Sequence, residues 1–293
     1  MTSSETSGLQ RIVDVDKYPL LDAQSDNYDE LVSSSREKYQ RDGIVILPGF
    51  LTEEAVAESV AEVVGARGEE WFPQSSHNVF LDSGDSGLPP GHVRNRQLPT
   101  SVASLAYDKL ARQGPLLSLY NSEPFRLFLS QVLGLDQFYR LEDPLGAASI
   151  NIFPPGTAHN WHFDEVGYLG SGLFIKPNLT LQSVFSVTIM IQKPEAGGLF
   201  RNTRPIRRKG EEDDALYQVL ENILDGREDT AETLRFEPGT LSIFCGSRCL
   251  HEVTKVEGER DRLVAVFCFA TRPGVTNSPQ VQKLFWGRTV QLQ

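Results

Sequence analysis

The chain is poor in cysteine and histidine, short of basic residues, and without any long apolar run. Its three cysteines, Cys245, Cys249 and Cys268, form an odd count with no C-x-x-C pair. That pattern argues against a disulfide framework or a zinc knuckle. No run of about 18 apolar residues occurs, so no segment reads as a membrane span. The opening MTSSETSGLQ has neither a basic n-region nor an apolar h-region, so it does not read as a secretory signal. Lys and Arg number 28 against 39 Asp and Glu, giving a net charge of −11 at pH 7. Such a field repels nucleic acid and anionic membranes. These absences describe an acidic protein, expected to be soluble and cytoplasmic.

What is present begins with a polar stretch, residues 1–10, that reads as a disordered tail. Residues 11–293 read as one domain, because no linker-like segment divides them. Its helical part runs to about 135, a strand-rich core covers about 137–272, and 273–293 is a C-terminal covering segment. Helices are expected over Tyr28–Gln40, from Thr52 to Val64, near 101–112 and over 123–133, with capping Ser, Thr and Gly residues at several ends. GIVILPGF (43–50) reads as a strand and 71–99 as irregular. From residue 137 onward the pattern alternates with period two, as in Phe185, Val187, Ile189 and Ile191. At least six strands follow, at spacings of about ten residues with one helix over 212–224 between them. The fold class is therefore an all-β core, sandwich or barrel, with helical decoration.

Chemistry concentrates in HNWHFDE, residues 159–165. His162 and Asp164 are two apart, so an extended backbone sets both on one face. His251, after the apolar LSIFCG and the loop SRCL, is the natural third ligand. Two imidazoles and one carboxylate leave three adjacent positions open on a metal ion, the facial triad of non-haem Fe(II) oxygenases. A bidentate 2-oxo acid fills two of these and O2 the third. Arg262 opens the apolar run LVAVFCFA. A guanidinium there either holds a carboxylate bidentately or is a rim charge of the polar patch GERDR.

The segments HFD (162–164), PEAGG (194–198), EPGTLSIF (237–244) and HEVTKVEGERDRLVAVF (251–267) together resemble the Fe(II)/2-oxoglutarate-dependent oxygenase superfamily. The resemblance is nearest to the branch holding the free-amino-acid radical halogenases and their hydroxylase relatives. It implies a double-stranded β-helix, or jelly roll, with iron held by His162, Asp164 and His251. It further implies Arg262 on the distal carboxylate of 2-oxoglutarate and Asn151 as a polar contact to that co-substrate. Halogenases of this branch have Gly or Ala where Asp164 stands, leaving a position for chloride. The carboxylate here implies hydroxylation, or another oxidation begun by hydrogen abstraction, of a small molecule such as a free amino acid or derivative in specialised metabolism.

The resemblance also suggests where substrate would bind. His159 and Glu165 flank the ligands and read as pocket-mouth residues or as exposed loop. Phe285 and Trp286, in LFWGRT near the chain end, read as a cover over the substrate or as core packing. Arg94, Arg96 and Arg288 are candidates to clamp a substrate carboxylate. Residues 165–182 are longer than in most relatives, and their glycines and apolar side chains suggest a hairpin lid. RNTRPIRRK (201–209), followed by EEDD, reads as a solvated connection rather than a phosphate site. Two other classes stay open at this point: a zinc-dependent hydrolase and a non-catalytic jelly-roll binding protein.

Overall fold

Capping signals set the helix ends. α1 spans Ser3–Ile12 and α2 spans Asp26–Asp42. The Ser25 hydroxyl accepts the Tyr28 N–H at the start of α2, and Gly43 closes it with φ 74°. A β-carbon on Gly43 would also lie 2.5 Å from the Cys249 sulfur, so turn and packing both demand glycine. α3 (Glu53–Gly65) starts at the Thr52 cap. α4 (Pro115–Tyr120) has Pro in its first turn, and α5 (Glu123–Leu133) runs from Ser122 to Gly134. α6 (Asp214–Leu224) is capped by Asp213, and α7 (Pro279–Trp286) lies near the C-terminus. This computed structural model describes residues 3–73, 75–81, 84–164, 184–207, 212–277 and 279–290. The expected lid at 165–182 and Glu165 lie outside the described residues.

The strands in chain order are β1 (Ile44–Leu47), β2 (Ser75–His77), β3 (Leu98–Thr100), β4 (Ala103–Leu105), β5 (Tyr139–Arg140), β6 (Ala148–Phe153), β7 (His159–His162) and β8 (Val184–Gln192). They continue with β9 (Ala196–Gly197), β10 (Phe200–Asn202), β11 (Glu232–Leu234), β12 (Leu241–Phe244), β13 (His251–Val253), β14 (Val256–Glu257) and β15 (Arg262–Ala270). A seven-stranded sheet has the order β1-β12-β8-β15-β6-β4, with β5 also on β15. A six-stranded sheet has the order β11-β10-β13-β7-β3-β2, and β9 pairs with β14. The pairings are antiparallel.

Alternation along each strand sorts its side chains between two layers. On the large sheet Ile150, Ile152, Val187, Ile189, Leu263, Ala265 and Phe267 join the main core with α1 to α5. Their neighbours Phe153 and Ile44 meet Phe200 and Val253 of the smaller sheet in an inner cluster. The smaller sheet's outer face, with Trp161, Phe163 and Leu250, is covered by Leu216, Leu220 and Ile223 of α6. Two facing antiparallel sheets with helices outside form a jelly roll. The fold read from the strand spacing is the fold observed.

Two local expectations are corrected. Of the expected tail, residues 3–10 are helical, because Leu9 and Ile12 are buried in the main core and hold α1 in place. The helix near 101–112 is instead β4 followed by a 3-10 turn, Tyr107–Lys109. Here pairing of β4 with β6 overrides local propensity, burying Ala103 and Leu105. No helix among the described residues is long and apolar enough to cross a membrane.

Candidate active site

His162 and His251 are direct partners across β7 and β13. Between them and the next pair, Val253 with His159, β7 carries one residue more than β13. This bulge turns His159 to the same face as His162, and their rings stack with centroids 3.8 Å apart. Asp164 follows β7, its N–H donating to the Gly246 carbonyl at 2.9 Å. Asp164 Oδ1 lies 3.9 Å from His162 Nε2 and 3.6 Å from His251 Nε2. One ligand atom from each of the three residues lies within 4.8 Å of the others, the spacing of a metal cluster.

Backbone carbonyls orient both imidazoles. His162 Nδ1 is 2.7 Å from the Asn160 carbonyl, and His251 Nδ1 is 2.9 Å from that of Cys249. A carbonyl only accepts, so Nδ1 carries the proton in each ring and Nε2 keeps its lone pair toward Asp164. Burial, then His159 and His251, hold His162 well below its ordinary pKa, favouring the neutral ligand form. Burial opposes ionisation of Asp164, but the nearness of His251, aided by His162, holds its carboxyl below the ordinary value. The donor set thus fits a divalent ion with open positions.

Arg262 lies on the inner face of β15, with its guanidinium 4.9 Å from the Phe153 ring centre. It is only 3% exposed. Its Nε is buried without a hydrogen-bond partner, and no carboxylate among the described residues pairs with it. Burial pushes its pKa down to about 9. A buried, uncompensated cation is a receptor for an anion brought from outside. Asn151 lies on β6 opposite Val264, in the same inner layer, with the Ser104 hydroxyl 3.5 Å from its Oδ1. A dicarboxylate co-substrate fits this guanidinium beside the cluster.

The other candidates divide. His159 stacks on His162 beside the cluster. Phe285 and Trp286 sit on α7, with Trp286 against Gly146 just before β6. Asp143 anchors this segment, accepting from Asn277 N–H at 2.7 Å and from Gln282 Nε2 at 2.9 Å. The three arginines expected as substrate clamps engage the chain's own acids. Arg94 is 2.5 Å from Glu212 and Arg96 is 2.6 Å from Asp225. Arg288 is 2.6 Å from Asp108. The acidic surplus supplies these partners. Arg94 also lies over Phe80, in the outer cluster rather than among the metal ligands. Trp161 packs behind the ligand strand in that cluster. Burial pushes the Cys249 and Cys268 thiols up to about 12, as expected of inert core cysteines.

One site residue was not found by sequence reasoning. His77, on β2, is 5% exposed, with its ring centre 5.3 Å from that of His159 and 5.7 Å from that of His162. Four of the chain's five histidines thus form one contiguous array. The fifth, His92, packs on Tyr217 in the outer layer. The available signal was the scarcity of histidine, since a lone imidazole in SSHNVF has no other mark.

The family described as carrier-protein-independent halogenase WelO5 matches residues 143–274, which hold the triad and Arg262. The matched residues are under half of the chain and resemble this Fe(II)/2-oxoglutarate-dependent family. Solved structures of such enzymes share the fold over most of the chain. The epimerase SnoN in complex with Fe3+, alpha ketoglutarate and nogalamycin RO is 12% identical, covering 83% of this chain and 84% of its own, with TM-score 0.54. A Pseudomonas putida prolyl-4-hydroxylase is 15% identical, covering 83% of this chain and all of its own (100%), with TM-score 0.50. HygX from Streptomyces hygroscopicus, with nickel, 2-oxoglutarate and hygromycin B bound, is 12% identical over 83% of this chain and 88% of its own, with TM-score 0.50. At these identities the likeness is one of fold. No curated protein matches the sequence.

Proposed function

We propose that the protein is an Fe(II)- and 2-oxoglutarate-dependent dioxygenase that hydroxylates, or otherwise oxidises at a C–H bond, a small molecule. The observation that carries this reading is Arg262, a buried guanidinium with no carboxylate partner among the described residues, in the same jelly-roll interior as an oriented His-Asp-His cluster. A zinc hydrolase has no use for such a second anion site.

His162 Nε2, His251 Nε2 and the Asp164 carboxylate hold the metal. Arg262 takes the distal carboxylate of 2-oxoglutarate through its paired N–H donors, and Asn151 supplies a further polar contact. The bound metal and co-substrate supply, with O2, the oxidising power to break a substrate C–H bond, releasing succinate and CO2. The inner apolar cluster excludes bulk water, and the Nδ1 bonds keep both imidazoles in the ligating tautomer. His159 lines the substrate side, with Phe285 and Trp286 as the cover. The favoured substrates are free amino acids or derivatives in specialised metabolism. The complexes of SnoN with nogalamycin RO and HygX with hygromycin B support small molecules as the class.

The family match is to a halogenase, yet Asp164 occupies the position a halide needs. Hydroxylation is therefore favoured over halogenation. Anaerobic Fe(II) and 2-oxoglutarate should give a weak visible charge-transfer band, and an amino-acid panel scored by succinate release and product mass should show added oxygen. No band and no succinate from folded protein would overturn the oxygenase reading. Chlorine or bromine in the product would overturn the choice of reaction.

A further inference from the structure

His77 has no role in the reading above, yet it is placed as a site residue. Its Nδ1 lies 2.8 Å from the Asn78 carbonyl. That carbonyl accepts, so Nδ1 bears the proton and Nε2, across the ring, is left as an acceptor. The ring is buried and, among the described residues, Nε2 has no hydrogen-bond partner. A buried acceptor without a donor carries an uncompensated desolvation cost. A phenyl ring would pack against His159 and His162 without that cost. The ring stands across them, at 86° and 71°. His77 thus lies beside His159 and His162, on β2 of the same sheet that carries the ligand strand β7.

We infer that His77 Nε2 accepts a hydrogen bond from an N–H or O–H group of the substrate, held beside His159. The inference rests on the oxygenase reading and deepens it by naming a substrate class. Amines and alcohols satisfy the orphaned nitrogen; a carbonyl or carboxylate oxygen at that point meets a second lone pair. His77 then acts in specificity, selecting a functional group near the oxidised carbon.

The full chain, loaded anaerobically with Fe(II) and 2-oxoglutarate, is titrated with matched probes. These are free amino acids and amino alcohols, each paired with the same carbon chain lacking the amine or hydroxyl. Perturbation of the charge-transfer band reads binding. Donor-bearing probes should bind roughly 10- to 100-fold more tightly than their partners. His77→Phe should bring that ratio near one with the unliganded band intact, and His77→Gln, which keeps an acceptor, should restore part of it. If the band forms and the ratio survives in His77→Phe, the role of His77 falls and the oxygenase reading stands. If wild-type protein forms no band, both fall. A second measurement needs no variant: nitrogen-15 spectra of the Zn(II)-loaded wild-type protein should show His77 Nε2 unprotonated. A protonated Nε2 would overturn the assignment.

Discussion

Gly246 stands so close to Asp164 that a β-carbon on it would lie 2.1 Å from Oδ2 and 2.8 Å from Cβ of the aspartate. The glycine is required for space. Gly246→Ala should push Asp164 out of the cluster and lower Fe(II) or Zn(II) affinity about tenfold or more, with the fold kept. Calorimetric titration beside a circular dichroism spectrum checks this. Unchanged affinity would mean that Asp164 is not a ligand in the position described.

Removing the carboxylate tests the choice of reaction. Asp164→Gly leaves two imidazoles and should abolish oxygen insertion. Added chloride should then shift the charge-transfer band of the variant and leave that of the wild type alone. Product mass and visible spectra at graded chloride concentrations read both effects.

Arg262 is expected to divide stability from function. Replacing a buried, unpaired charge by an apolar side chain is neutral or stabilising. Arg262→Met should therefore leave the Tm of metal-free protein unchanged or raised. The 2-oxoglutarate concentration for half-maximal band formation should rise by about 100-fold, from loss of a bidentate ion pair. A fall in Tm with no change in that concentration would make Arg262 structural.

Glu62 on α3 gives a pH-dependent outcome. Its Oε1 accepts the Ala111 N–H, while Oε2 is buried without a partner. Burial raises its pKa above the ordinary value of 4.5, outweighing the Ala111 bond. A folded value above the unfolded one gives stability that is complete below about pH 4.5 and lost as pH rises through the folded value. The ionised carboxylate is thus a liability at neutral pH. Glu62→Gln should raise Tm by roughly 2 °C at pH 7 and by nothing at pH 4. Thermal melts at the two pH values decide it.

The candidate metal cluster was legible because its signal is local: H-x-D on an extended segment, then a histidine after an apolar strand. α2, α3 and α5 were legible through Ser25, Thr52, Ser122, Gly43 and Gly134, which act on the nearest turn. Features set by distant partners were not. β4 exists because β6 lies beside it, and α1 because Leu9 and Ile12 find a core. The three arginines looked available until folding brought Glu212, Asp225 and Asp108 to them. His77 had no sequence mark, since its position depends on pairing of β2 with β3 and of β3 with β7.

The extra residue in β7 bears on how such an enzyme changes over generations. A single-codon insertion in β13 between His251 and Val253 would match the two strands residue for residue and, because 159 and 162 are an odd number apart, carry the 159 side chain to the outer layer. The pairing of His162 with His251 could persist through that change. Substrate choice and metal retention, three residues apart in one strand, are therefore separable by inheritance, and a lineage can exchange one while keeping the other.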